Sequence, residues 1–444
     1  MATRKRFDWI LLVILMSYFM ILLDNSIIFT GTVKIAQDLQ LNQQTLSWVS
    51  SAYSLTFGGF LLLGGRAGDL FGRRRVFQIG LVIFGIGSLL VGLSVNAPMI
   101  IASRAFQGIG SAILAPTTLA ILMDTYDGPA RVRAIAYYGA MAGIGASVSL
   151  VIGGVFASLL TWRVGFFINV PISMWMYYLS VRHLQKTGGR SGKLDWLGTL
   201  SSLFGMSALV YSIVGTWGKL SAFILAIALL VIFVYQEYRT SQPIMPLRLF
   251  KNRERIGAYL GRFLYLGSML GFWFITPQLM QRQLGFSALM AGVAFFPLTI
   301  VNFIVALQVA RLTAKFGNGR LLTIGIFLTF IGMTWMSFFT VNTGYWLGIA
   351  LPMIVIGIGQ GLSLSPFTAA GVAHTDVRDA GAASGVVNVM HQIGGSVGLS
   401  ILVSVQGLFK NQVIGFHYAI LIGAGLLLIS LLAAIFLILP EKQK

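Results

Sequence analysis

The chain has 444 residues, of which 57% are hydrophobic and only 10% charged, with a mean hydropathy of +0.84. Soluble globular domains carry about a quarter charged residues, so water is not the main solvent of this protein. Cysteine is absent and the four histidines are scattered, which excludes disulfides, thiolate chemistry and the ligand spacings of zinc sites. The net charge of +19 has to be placed relative to a membrane before it can be read as affinity for nucleic acid.

A bilayer core needs about 20 apolar residues in one helix, and such runs recur along the chain. The hydropathy pattern predicts spans at Trp9 to Thr32, Thr45 to Gly64, Val76 to Leu93, Pro98 to Met123, Ala134 to Leu160, Val164 to Val181, Trp196 to Trp217 and Ser221 to Tyr235. A second group follows at Ile256 to Leu279, Ser287 to Ala310, Leu321 to Val341, Tyr345 to Val372, Ala380 to Gln406 and Tyr418 to Pro440. The expected fold is an all-α polytopic membrane protein of about fourteen helices. Arg4-Lys5-Arg6 before the first apolar run also resembles a signal peptide, but no small-residue cleavage site follows and further spans do.

With both termini cytoplasmic, the outer loops hold only Lys34, Arg163, Lys219, Arg282 and Lys410 of the 31 Lys and Arg, while Arg104 and Arg262 fall inside spans. The remaining basic residues lie on the inner side. The positive-inside rule accounts for that bias, and no nucleic-acid partner is needed to explain the charge.

A weak internal repeat pairs Gly65 to Arg75, after span 2, with Ala310 to Arg320, after span 10. Another pairs Gln107-Gly108 and Pro116 of span 4 with Gln360-Gly361 and Pro366 of span 12. Units eight spans apart divide the chain into six helices (1–184), two inserted helices with a linker (185–250) and six more (251–444), a 6+2+6 plan. Parallel six-helix repeats are built around a site between the halves in one large class of secondary transporters.

At these residues the chain resembles the major facilitator superfamily, in particular its fourteen-helix drug:proton antiporters. Leu23-Asp24-Asn25-Ser26-Ile27-Ile28 is similar to that family's first-helix signature, the Gly65 to Arg75 segment to its cytoplasmic loop signature, and Arg104-Ala105-Phe106-Gln107-Gly108-Ile109-Gly110 to its fourth-helix signature. The fifth-helix signature keeps Gly153-Gly154 but has Ser149-Leu150 where the family has Gly-Pro. The resemblance implies a bacterial plasma-membrane exporter of lipophilic drugs that works as a monomer, uses the proton gradient and needs no cofactor or metal. The departure at helix 5 keeps a second reading open, an importer or facilitator for a specific metabolite.

Twelve acids occur in the chain, and only Asp24 falls deep within a span, roughly 22 Å along span 1 at 1.5 Å per residue. A charge there costs about 3 kcal/mol on insertion scales and is a functional candidate, although one helix–helix hydrogen bond would also occupy it. Arg104 is placed to tune Asp24, or else snorkels outward. A single acid holding either a proton or a cationic guest gives a coupling scheme, with monovalent cations or zwitterions as expected cargo. The resemblance implies that Arg104 assists proton transfer and that Asp69, Arg73 and Asp124 form a cytoplasmic latch. Asp24, Tyr53, Gln107, Gln360, Asn388 and His391 are candidate cargo contacts, with Phe263, Tyr265, Phe272 and Phe274 as candidate cavity aromatics. Gly145, Gly153 and Gly154 give span 5 a small-residue face for packing or for switching. Arg262 is expected to snorkel. A membrane-embedded enzyme is disfavoured, because one intramembrane carboxylate does not make a catalytic cluster.

Overall fold

Inside hydrocarbon a backbone N–H or C=O finds no water, so a chain this apolar is satisfied only by helices or a closed barrel. The computed structural model is helical throughout its regular elements among the described residues. These are 8–439 except 187, 190, 191, 193, 241, 377 and 378, and except the side chains of 132, 142–144 and 146. The basic arm Arg4-Lys5-Arg6 and the expected last residue of the final span, Pro440, lie outside them.

In chain order the long helices are α1 (Trp9–Asp38), α2 (Gln43–Phe71), α3 (Arg73–Gly92), α4 (Ala97–Thr125), α5 (Gly128–Leu159), α6 (Trp162–His183) and α7 (Trp196–Val214). They continue with α8 (Lys219–Arg239), α9 (Arg253–Gln283), α10 (Ala288–Phe316), α11 (Asn318–Ser337), α12 (Trp346–Gly371), α13 (Ala380–Gly407) and α14 (Gln412–Ile438). Thirteen of them are long and apolar enough to cross a bilayer. The other, α5, has 32 residues, and its apolar run among the described residues is Ser147–Leu159.

Several starts are set by side chains that take up the orphan N–H groups of a first turn. Asp8, Asn42, Asn96, Asp195, Asn252, Ser287 and Asn411 do so for α1, α2, α4, α7, α9, α10 and α14. The helices outrun the spans read from hydropathy. In particular α2 reaches Phe71 rather than Gly64, so most of the expected loop signature is helical and the connection to α3 shrinks to Gly72. Gly72 has φ 90° and ψ 127°, and its repeat partner Gly317, between α10 and α11, has φ 83° and ψ 155°. Glycine takes this conformation without strain, and its recurrence gives the weak sequence repeat a structural counterpart.

Within the first six helices, α4 packs on α2 and α3, and α1 packs on α5. Within the last six, α9 packs on α13 and α14, and α12 on α10 and α11. Helices α7 and α8 pack on each other, and α7 leans on α2 and α13. The two groups of six meet along α2 with α13 and along α5 with α10. On α3 the exposed Ile79, Val82, Ile86 and Leu89 alternate at helical spacing with the buried Phe77, Leu81 and Phe84. Apolar groups on both faces are expected where one face meets protein and the other meets lipid.

Small residues set how closely the helices approach. A Cβ at Gly398 on α13 would stand 2.2 Å from the Cα of Gly267 on α9, whereas nothing lies within 4 Å of one at Gly425. Gly398→Ala should therefore lower the thermal stability of the detergent-purified protein by about 1–3 kcal/mol, the usual overpacking cost. Gly425→Ala should leave it unchanged, and equal melting temperatures for the two variants would contradict this packing.

Candidate functional site

Asp24 on α1 and Arg104 on α4 form an ion pair with relative exposures of 0% and 1%. Arg104 Nη1 donates to Asp24 Oδ2 and to Gln107 Oε1 (2.7 Å), and Nε donates to the Val49 carbonyl of α2 (3.1 Å). Gln107, three residues on and so on the same face of α4, donates from Nε2 to Asp24 Oδ1 (2.7 Å) and to Ser88 Oγ of α3 (2.5 Å). Asn169 of α6 donates to the same Ser88 Oγ at 3.2 Å. The Tyr53 ring of α2 lies 4.1 Å from the guanidinium carbon, and its hydroxyl is hydrogen-bonded to Ser111 at 2.7 Å.

Glycines make this convergence possible. A Cβ at Gly87 would stand 2.7 Å from the Gln107 Cα, and one at Gly108 2.4 Å from the Tyr53 carbonyl oxygen. The result is one carboxylate whose two oxygens are both engaged, deep in the first six-helix group. Asp24, Tyr53 and Gln107, the expected cargo contacts of this half, all belong to this cluster. All three are buried and turned toward one another, because the cationic and amide donors that satisfy Asp24 come from the same bundle.

The remaining candidates lie in the other group. Asn388 is exposed on α13, His391 is part-buried one turn further on, and Gln360 on α12 is buried. Arg262 does not snorkel. It is 6% exposed, donating to the Leu364 carbonyl (2.8 Å) and bonded to His391 Nδ1 (3.1 Å). Tyr265, Phe272 and Phe274 are fully buried in the core of the second group and do not line a cavity, and Phe263 is partly buried. Residue count alone places Arg262 near a helix end, where snorkelling is the usual fate of an arginine.

The latch residues come together. Arg73, at the start of α3, pairs with Asp69 (3.3 Å) and with Asp124 of α4, and donates to the Ala120 carbonyl (3.1 Å). These side chains are 27–44% exposed, so each pair contributes little in water-like surroundings. Arg74 adds a tie absent from the sequence reading, donating to the Val181 and Leu184 carbonyls at the end of α6 (2.8 and 2.9 Å).

The α5 glycines divide their contacts. A Cβ at Gly145 would meet Leu22 and Phe19 of α1, and one at Gly153 would stand 3.1 Å from the Ile27 Cα of α1. One at Gly154 would stand 2.7 Å from the Leu289 Cα of α10, and one at Gly292 2.6 Å from the Leu150 carbonyl oxygen. Beside this contact Leu289 N donates to Ser158 Oγ (2.8 Å), Gln281 to the Thr30 carbonyl (3.2 Å) and Gln43 to Gln406 (3.3 Å). These contacts between the two groups lie at the end opposite Asp69 and Asp124, and α2 and α13 also meet further along, where a Cβ at Gly385 would stand 2.2 Å from Leu62.

A sequence profile described as the Major Facilitator Superfamily matches residues 14–399. The chain belongs to the major facilitator superfamily. This facilitator is 34% identical over 405 residues to the cephamycin export protein CmcT of Amycolatopsis lactamdurans, a match that covers 88% of this chain and 83% of that protein. It is 33% identical over 410 residues to the puromycin resistance protein pur8 of Streptomyces alboniger, with 90% and 81% covered. A crystal structure of the peptide transporter POT in complex with sulfate has a TM-score of 0.74 at 14% identity, covering 99% of this chain and 97% of that one, a likeness of fold. The facilitator is accordingly a multi-pass transporter of a bacterial cell membrane, related to antibiotic export and resistance proteins.

Two outcomes follow from this geometry. Removing Arg104 alone leaves a buried, unpaired carboxylate, so Arg104→Ala should destabilise the facilitator by about 3–5 kcal/mol. Adding Asp24→Asn should recover much of that loss, and a double variant no more stable than the single one would speak against the pair. Gly154→Val should pry the contact of α5 with α10 apart. Because the chain has no native cysteine, a single Thr30→Cys reporter can be labelled cleanly, and its maleimide reaction should quicken roughly tenfold, as 1–3 kcal/mol of overpacking implies.

Proposed function

We propose that this facilitator exports small lipophilic drugs from the cell in exchange for protons, by alternating access between its two six-helix halves. The observation that carries the reading is the enclosed Asp24–Arg104 pair, the one carboxylate deep in a span among the described residues, next to helices that join the halves. Export and resistance names among the relatives favour outward movement of antibiotics. In this reading α5 is a further crossing and makes fourteen. The halves are 1–184 and 251–444, with 185–250 inserted. Both termini are cytoplasmic, as the basic bias favours, so the end where α5 meets α10 is the outer one.

Asp24 is fully enclosed, with Arg104 and Gln107 on its oxygens, so in this reading coupling runs through conformation. Protonation of Asp24 releases Arg104 Nη1 and Gln107 Nε2 and loosens α1 from α4. The Gly153 contact carries that change from α1 to α5, and Gly154 carries it to the contact with α10. One proton moving inward down a potential of 100 mV supplies about 2.3 kcal/mol. No cofactor or metal takes part, and the working unit is a monomer. The cargo is cationic or zwitterionic in its broad class, and the zwitterionic case accords better with an Asp24 that is already neutralised. The importer reading rests on Ser149-Leu150, which lies at that contact itself through Leu150.

Asp24→Asn in reconstituted vesicles is the test. Drug-dependent proton flux should fall to background; the melting temperature should fall as well, because Arg104 is left buried without its counter-ion, and a single cooperative melt should show that the variant is still folded. Full flux through a well-folded variant would remove Asp24 from coupling, and inward-only dye movement that collapses with a protonophore would favour the importer.

A further inference from the structure

Among the spans of the second half, Arg262 is a cation with no acid to answer it. The acids of that half are Glu254 in the first turn of α9, Asp376, Asp379 and Glu441 past α14. Glu254 pairs with His374, and Asp379 with Arg248 of the linker. Arg262 lies roughly 13 Å along α9 from its first residue at 1.5 Å per residue, and its Nε is buried without a partner. A charge at such depth is costly and is retained for function as a rule.

The chemistry of its partner shows where that charge is presented. A guanidinium only donates, so His391 Nδ1 accepts from Arg262 Nη2 and the ring proton sits on Nε2. That Nε2–H has no protein partner among the described residues. One turn earlier on α13, about 12 Å from the helix start, Asn388 is exposed and uses one of its N–H groups on the Ser384 carbonyl (3.0 Å). An exposed amide at that depth suits a polar cleft and not lipid. In the first half Asp24 and Arg104 cancel each other, so Arg262 leaves a net positive charge at this depth.

We propose that Arg262, His391 and Asn388 form a dock for a carboxylate on the exported molecule. This deepens the export reading and rests on it for the word cargo. The carboxylate accepts from His391 Nε2–H and from Asn388 Nδ2, and Arg262 behind the imidazole compensates its charge. The dock selects the zwitterionic members of that cargo class and discriminates against cargo whose acid is esterified.

Rhodamine B, which carries a free carboxylate, and its ethyl ester make a matched pair of probes. Binding is read by fluorescence polarisation on the purified full-length protein. Wild type should bind the acid about tenfold tighter than the ester, as one or two charge-assisted hydrogen bonds allow. Arg262→Gln should abolish that preference while still binding the ester, which shows that the fold is intact, and Arg262→Lys should restore part of it. If Arg262→Gln loses both dyes, His391→Gln and Asn388→Ala decide by the same ratio. No preference for the acid in wild type, or a preference unchanged in the variants, overturns the dock. Movement of either dye in phosphatidylcholine vesicles, which offer no anionic headgroup, reports separately on export. A dock that binds the acid in a protein that moves neither dye would overturn export and leave the binding assignment standing.

Discussion

One buried charge pair organises the first half of this facilitator. Ionised Asp24 is tolerable in hydrocarbon only because Arg104, Gln107 and through them Val49, Ser88 and Asn169 satisfy it, and those residues come from four other helices, α2, α3, α4 and α6. Close approach at Gly87 and Gly108 lets them converge. A buried pair of this kind is weak as a source of net stability, because desolvation offsets much of the Coulomb gain, yet losing one partner is expensive. That asymmetry makes it suited to a switch, since adding a proton to Asp24 converts a satisfied cluster into one with spare donors.

Much of this was legible from the residues. A carboxylate and a guanidinium in the middle of apolar runs announce themselves against so few charges, and the i, i+3 spacing of Arg104 and Gln107 places them on one helix face. Helix existence followed from hydropathy, and several starts followed from Asx and Ser caps. The Gly72 and Gly317 turns were visible as a repeat whose backbone then proved alike.

Facing was not legible. In a soluble helix the polar side marks water, but here lipid and protein are equally apolar and the pattern does not tell a core position from a lipid position. Tyr265, Phe272 and Phe274 therefore read as cavity aromatics although they are core. Nor does the pattern show that Tyr53 and Gln107 make their hydrogen bonds inside the bundle. Arg262 was misjudged by depth alone, since nothing in the sequence says that Leu364 and His391 stand ready to receive it. Helix ends were misplaced where amphipathic turns run on beyond the apolar stretch, as at Gly65 to Phe71.

The closure between the halves also has a consequence for how the molecule senses its surroundings. Glycine backbones meeting at Gly154 and Gly292, with neutral amide and hydroxyl partners beside them, contain no ionised group. Contacts of that sort depend on fit and dispersion and hardly respond to dissolved ions. The contact between the halves should then be equally tight in brine and in dilute medium, and under the proposed alternating access the push that parts it would arrive mechanically, through the helices that carry its glycines.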